Sequence, residues 1–419
     1  MSTRLLLLLL LIASIPATSH AQLTLEQCYE KARNNYPLVS QYGLIEKSEA
    51  YNLSNAAKAW LPQLSFSAKA TWQSEVIELP FTMPGVGEMD HDQYQATLEL
   101  SQTVWDGGAT GARREMYKAS SELEKQKYEV DLYTIKERVN QLYFGILLLN
   151  EQLNLNAVLL KDLETNYNRV EASMNNGMAS QADLDAVRVE QLKAGQMKAE
   201  LLASEKSFIE MLSAFTGENI SIETVFVKPD ASLISQETNS ILRPEVQLFD
   251  AQSNLFASQQ KMVRAGTMPK LGLFAQGGYG KPGLNMLSNE LNPFFIGGVR
   301  LSWNISGFYT QSNEIQLLKI NQRGADIQKQ TFLFNTNMKI AQQRNEIAKF
   351  QELLKSDDEI IRLRQGIQHT TEVRVENGTA TASDLIRDLN AVNRSMLDKA
   401  MHEMQMLSAM YNLKNSTNQ

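Results

Sequence analysis

Between Trp105 and Met174 the chain runs without a proline, and apolar residues recur there at alternating steps of four and three. The series is Tyr128, Leu132, Ile135, Val139, Leu142, Ile146, Leu149, Leu153, Asn156, Leu160, Leu163, Tyr167, Val170 and Met174. A repeat of 3.5 residues, broken once by the polar Asn156, predicts a single long helix with a coiled-coil seam. At about 1.5 Å per residue that helix would be on the order of 100 Å long. Elsewhere the period is two. Leu64, Phe66, Ala68, Ala70 and Trp72 alternate with Gln63, Ser65, Ser67, Lys69 and Thr71. Over Gln93 to Val104, Tyr94, Ala96, Leu98 and Leu100 alternate with Gln95, Thr97, Glu99 and Ser101. Leu271, Leu273, Ala275 and Tyr279, and later Val299, Leu301 and Trp303, repeat the pattern. Four segments of about ten residues, apolar on one face and with aromatics near their ends, suit strands that cross a bilayer at a tilt. The same alternation also permits a soluble sheet with one wet face.

The chain is internally repeated. Pro37 and Pro244 lie 207 positions apart, as do Pro62 and Pro269, whereas Leu100-Ser101 and Leu301-Ser302, Asn176-Gly177 and Asn377-Gly378, and Asp183-Leu184 and Asp384-Leu385 are each offset by 201. An offset that changes once marks a duplicated unit whose first copy carries a longer loop between Pro62 and Leu100. The expected division is therefore a first repeat over 22–218, a connecting segment over 219–240, a second repeat over 241–413 and a frayed polar tail over 414–419. Each repeat reads as helix, β-hairpin (62–105 and 269–306), very long helix and return helix. The first helix is expected over Thr24 to Ala59, with Thr24 and Gln27 in a capping-box pattern.

Composition narrows the function. Arg4, the apolar run Leu5 to Ile12 and Ser19-His20-Ala21 form the pattern of a cleaved signal peptide over 1–21. No later run is long and apolar enough for a spanning helix. The single cysteine, Cys28, has no partner for a disulfide. A net charge of −7 argues against nucleic acid as a partner. Neither a metal cluster nor a cofactor motif stands out: His91, His369 and His402 are scattered. Gly107 and Gly108 open a helix but lack the Lys-Ser/Thr of a phosphate-binding loop. Met396, Met401, Met404, Met406 and Met410 on the last helix read as adaptable core filler, with soft-metal transport as the sharper alternative.

Four strands with one apolar face cannot close a barrel, and an open edge in hydrocarbon leaves backbone groups unpaired at several kcal/mol each. Long amphipathic helices likewise need neighbours along their whole seam. Self-association follows from both.

Several short motifs occur in the order found in one family. They are Leu23-Thr24-Leu25-Glu26-Gln27-Cys28 with Asn34-Asn35-Tyr36-Pro37, then Trp60-Leu61-Pro62-Gln63-Leu64, then Leu100-Ser101-Gln102 with Trp105-Asp106-Gly107-Gly108, and the two Asn-Gly tips. The chain resembles the TolC-like outer-membrane efflux proteins across nearly all of its mature length. That resemblance implies a mainly α protein with membrane β-structure. Three copies would form a twelve-stranded barrel in the outer membrane of a Gram-negative bacterium and a periplasmic helical tunnel. It implies a passive duct, not an enzyme, whose partners are a periplasmic adaptor, an inner-membrane pump and outer-membrane lipid. By the same resemblance Tyr94, Leu98 and Leu100 face lipid, and Lys69, Glu99 and Arg300 face the lumen. Gly177, Asp183, Gly378, Asp384 and Arg387 fall where the family places its periplasmic gate and adaptor contacts. Val375 and Ala380 stand where a tyrosine and an arginine usually brace the closed tip, and Arg387 stands where a second acid is common, so Arg387 with Asp384 or Asp388 is the expected substitute contact. Locally, Gly177 and Gly378 also suit plain helix C-caps, and Asp183 and Asp384 suit the dipole of the following helix. A periplasmic coiled-coil adaptor or structural rod is the alternative function.

Overall fold

A computed structural model describes residues 22–77, 89–230 and 240–418. The expected signal segment and most of the longer loop of the first repeat lie outside the described residues. The elements in order are β1 (Gln22–Leu23), α1 (Leu25–Asn35), α2 (Val39–Ala57), a short 3-10 turn (Lys58–Trp60), β2 (Gln63–Trp72), β3 (Asp92–Trp105), α3 (Ala109–Asn175) and α4 (Gln181–Thr216). They continue with β4 (Val225–Phe226), α5 (Pro244–Gly266), β5 (Lys270–Lys281), β6 (Asn292–Ser302), α6 (Phe308–Glu376) and α7 (Ala382–Thr417). The duplication is plain in the lengths. The long helices α3 and α6 have 67 and 69 residues, and the return helices α4 and α7 have 36 each.

The expected first helix is in fact two. Thr24 and Gln27 form the anticipated capping box, but Tyr36 adopts an extended conformation ahead of Pro37 and ends α1. Proline disfavours the helical region for the residue before it and brings no N–H of its own.

The chain divides into two compact units. One comprises 1–39, 129–244 and 332–419; the other comprises 40–128 and 245–331. In the first, the seam residues Leu132, Ile135, Val139, Leu142 and Ile146 are buried, as are Leu163 and Val170 further along α3. Leu163 and Val170 pack with Leu184, Val187 and Ala194 of α4 and with Ala382 and Ile386 of α7. At the seam break, the Asn156 amide donates to the Ala194 carbonyl at 3.2 Å. The chain's start is tied into this unit by the parallel pairing of β1 with β4. The buried Tyr143 hydroxyl lies 2.7 Å from the carbonyl oxygens of both Leu23 and Val227, toward which it donates. Cys28 is fully buried in α1, and that burial pushes its thiol up to about 12.

The tail is not frayed. The last helix runs to Thr417, with Asn415, Ser416 and Thr417 all buried. The Tyr133 hydroxyl donates to the Asn415 carbonyl, and the Leu242 amide donates to the Thr417 carbonyl at 3.0 Å. Polar residues are held inside here by such backbone contacts and by the Thr417 hydroxyl, which donates to the Leu413 carbonyl at 3.2 Å.

The second unit carries a four-stranded sheet in the order β2-β3-β5-β6 with every neighbouring pair antiparallel. The two hairpins of the repeats are thus joined through β3 and β5. A register shift between Thr103 and Trp105 places a bulge where β3 approaches the start of α3, as expected where a strand must bend out of a sheet.

Candidate functional site

Two surfaces are candidates: the faces of the sheet, and the turns that join each long helix to its return helix.

The register assigns every strand residue to a face. Leu64 pairs with Leu100, Phe66 with Leu98, Ala68 with Ala96 and Ala70 with Tyr94. Leu98 continues across to Gly277, and Gly277 to Phe295; Leu271 and Leu273 continue to Leu301 and Val299. One face is therefore apolar across all four strands, and it is uncovered: Phe66 is 73% exposed, Trp72 74% and Leu301 68%. Trp60, Trp105 and Trp303 stand at one end of this band, and Trp72, Tyr94 and Tyr279 at the other. The row from Leu64 to Trp72 spans about 27 Å along the strand, which at a tilt of about 40° projects to about 21 Å, close to the ~25 Å height of a membrane-barrel apolar band. Gln102 is a polar residue at its lower edge and spends its amide on the Trp60 carbonyl at 2.7 Å. Asp92 and Lys281 lie at its upper edge and pair at 3.3 Å. Among the described residues no helix is long and apolar enough to cross a membrane.

The other face carries Lys69, Glu99 and Arg300, as the alternation predicted. Arg300 lies 3.1 Å from Glu99, and its guanidinium sits over the Phe274 ring at 4.6 Å. The Ser67 and Thr97 hydroxyls are 2.7 Å apart. Three apolar residues interrupt this polar face: Phe274, Phe294 and Ile296. The first two have a structural cause. Phe274 covers Gly298 and Phe294 covers Gly278, each ring coming to 3.1 Å from where a Cβ on the glycine would stand.

At the base of the sheet, Asp106 accepts from the Gly108 amide at 2.9 Å and the Thr110 amide at 2.6 Å. It thereby occupies the donors that a phosphate would need at the start of α3. Gly107 has a φ of +68° and lies against Met268, where any side chain would collide. The glycine pair serves a turn.

The two helix turns are built alike. Gly177 and Gly378 have φ of +71° and +67°. The Gly177 amide donates to Met174 at 2.9 Å and the Met178 amide to Ser173 at 2.8 Å; in the second repeat Gly378 donates to Val375 and Thr379 to Arg374 at 3.0 and 2.8 Å. Both are left-handed C-caps of the Schellman type. Each return helix then starts with a capping box. The Asp183 carboxylate accepts from the Ser180 amide and hydroxyl at 2.9 and 2.7 Å, and the Asp384 carboxylate from those of Thr381 at 3.1 and 2.8 Å. These hydrogen bonds hold both carboxyls below the usual range. Arg387 lies 3.2 Å from Asp384 and 3.6 Å from Asp388, with its own side chain 70% exposed. Both aspartates thus have a local structural task in addition to any role at a gate.

Sequence reasoning did not single out the contacts that join the hairpins near their tips. Arg169 of α3 reaches Glu372 of α6 at 2.9 Å and Glu376 at 3.6 Å, with the first pair half-buried. The Thr371 hydroxyl donates to the buried Asp388 at 2.7 Å. Asn390 of α7 donates to Glu190 of α4 at 3.2 Å. A charged residue one heptad before the Asn-Gly tip was the available signal, but its partner lies about two hundred residues away.

Residues 28–218 match the family model described as outer membrane efflux protein. No curated protein matches the sequence. Solved structures do match the fold. The outer membrane protein VceC of Vibrio cholerae is 14% identical, with a TM-score of 0.70, covering 94% of this chain and 95% of its own. The Campylobacter jejuni CmeC outer membrane channel is 15% identical, with a TM-score of 0.69 and coverages of 94% and 85%. The open state of the Neisseria gonorrhoeae MtrE outer membrane channel is 13% identical, with a TM-score of 0.66 and coverages of 94% and 88%.

Proposed function

We infer that this chain, whose first repeat belongs to the outer membrane efflux protein family, is the outer-membrane exit duct of a tripartite efflux or type I secretion system. One observation carries the reading: a single chain joins 67- and 69-residue helices to a four-stranded sheet with an uncovered apolar face and two unpaired outer edges. In hydrocarbon those edges demand closure, and single-chain barrels begin at about eight strands. Three copies supply twelve strands and six long helices, enough for a barrel and for the wall of a periplasmic tunnel. Tyr94, Leu98 and Leu100 then meet lipid, and Lys69, Glu99 and Arg300 meet the lumen. The tips at Gly177 and Gly378 form the periplasmic end, where a periplasmic adaptor linked to an inner-membrane pump docks. Transport is passive, and the reading assigns no catalytic residue, cofactor or resident metal. A periplasmic adaptor or rod would account for the long helices but leaves the apolar sheet face without a purpose.

The test is fractionation of the full-length protein. An SDS-resistant, heat-modifiable trimer in the outer membrane is expected. Recovery as a soluble monomer would sink the reading.

A further inference from the structure

We propose that the barrel passage prefers anions over cations; this inference rests on the duct reading above and deepens it. The polar face of the sheet carries four charged side chains, namely Lys69, Lys270, Arg300 and Glu99. The only anion among them, Glu99, is taken up by Arg300 at 3.1 Å. Lys69 and Lys270 are exposed and make no ion pair among the described residues. Each chain therefore presents two uncompensated positive charges on this face, and three chains present six around one closed passage.

The charge is concentrated by its setting. At the base of the face, Lys270, Arg300 and Arg113 of the first turns of α3 line one concavity of about 310 Å³ together with Ser101, Thr103 and Ser302. Asp106 also lines it; the Gly108 and Thr110 amides hold its carboxylate in the charged form, so it offsets one of the three cations and the concavity stays net positive. At the far rim, Asp90 and Asp92 pair with Lys281, which lines one concavity with Lys69, and Glu75 and Glu290 lie exposed in the adjoining loops, so the anions gather at the mouth, beyond the polar face. A ring of like charge on low-dielectric walls raises the local concentration of the opposite ion and excludes its own sign. Lys69 pairs with Gln95 and Gln95 with Gly280, ten residues along β5 from Lys270, or about 33 Å, so the six charges form two separate rings of three, each acting over about one Debye length. The preferred cargo is thus the anionic class: carboxylates, phosphates, sulfonates or acidic peptide.

The experiment is the permeability ratio of chloride to potassium for the full-length protein in planar bilayers across a salt gradient. A ratio above unity, on the order of threefold, is expected. The double variant Lys69→Gln/Lys270→Gln should bring it toward unity, and Lys69→Glu/Lys270→Glu should invert it. Heat-modifiable migration checks that each variant assembles. Unity or cation preference in the unmodified channel overturns the inference while leaving the duct intact, as does an unmodified preference that neither double variant changes. An assembled trimer with no conductance at all overturns the duct, and the inference with it.

Discussion

A single charge placed on the apolar face separates a membrane sheet from a soluble one. Leu98 lies on β3 between Phe66 and Gly277 in the ladder, two residues from the central Ala68–Ala96 pair, or about 7 Å along the strand. An arginine facing lipid near the midplane of a barrel costs about 2–4 kcal/mol, falling toward the interfaces. Leu98→Arg at this depth should cost about 2–3 kcal/mol per copy, and roughly three times that in a trimer. Such a deficit consumes much of the few to fifteen kcal/mol by which folded proteins are typically stable. The matched control is Gln276→Arg. Gln276 pairs with Glu99 on the other face of the same ladder, where a new cation meets water and a nearby carboxylate. The assay is the heat-modifiable trimer fraction in outer membranes at equal expression. Leu98→Arg should lower that fraction severalfold or more, and Gln276→Arg should leave it near the unmodified level. Equal assembly of the two variants would refute the assignment of this face to hydrocarbon.

Two further outcomes follow from the helical unit. Glu205 is 5% exposed in the buried row Leu201, Ile209, Leu212 of α4 and has no hydrogen-bonding or ionic partner among the described residues; burial raises its carboxyl above the usual range. A raised acid favours the folded state below its unfolded value, near pH 4.3, and costs stability as pH rises through the folded value. Glu205→Gln should therefore raise resistance to denaturant at pH 8 and not at pH 4, and an equal effect at both would show that ionisation is not the cause. At the tips, Arg169→Ala breaks a half-buried link between the two long helices, whereas Arg387→Ala removes an exposed pair with Asp384 and a longer contact to the buried Asp388, both within one helix. Exposed pairs are worth roughly 0–1 kcal/mol, so single-channel conductance should rise more for Arg169→Ala, and no change in either variant would remove both from the closed state.

Local chemistry was legible in the sequence wherever neighbours in the chain decide the structure. The 3.5-residue seam named the buried face of α3, since Val139, Ile146, Leu163 and Val170 are all inside. Asn-Gly named the C-cap at each tip, and the aspartate six residues on marked the first turn of the return helix, but its capping box with Ser180 or Thr381 was not anticipated. The dyad pattern sorted β2, β3 and β5 into faces, apart from the aromatics that cover Gly278 and Gly298. Proline at position 37 was present in the sequence, and its break of the first helix was missed because the apolar pattern continues through it. The pairing of β3 with β5 is of another kind. It joins residues 166 to 187 positions apart, and the bulge at Thr103 shifts its register, so no local pattern encodes it.

The seam break shows where that limit falls. Asn156 and Asp357 hold equivalent positions in the two repeats, and each reads from sequence as a defect in an apolar row. In the fold both are buried and both face their own return helix: Asn156 donates to the Ala194 backbone at 3.2 Å, while Asp357 lies 2.7 Å from His402 Nδ1. A polar group buried at a seam position costs stability unless its partner is in register. A one-turn slip of α7 along α6 would strand Asp357 without His402, and a slip of α4 along α3 would strand Asn156 without the Ala194 carbonyl. Apolar side chains alone tolerate such slips far better. The two interruptions are therefore the positions that distinguish one alignment of each helix pair from its neighbours, and they do so with different chemistry in each repeat.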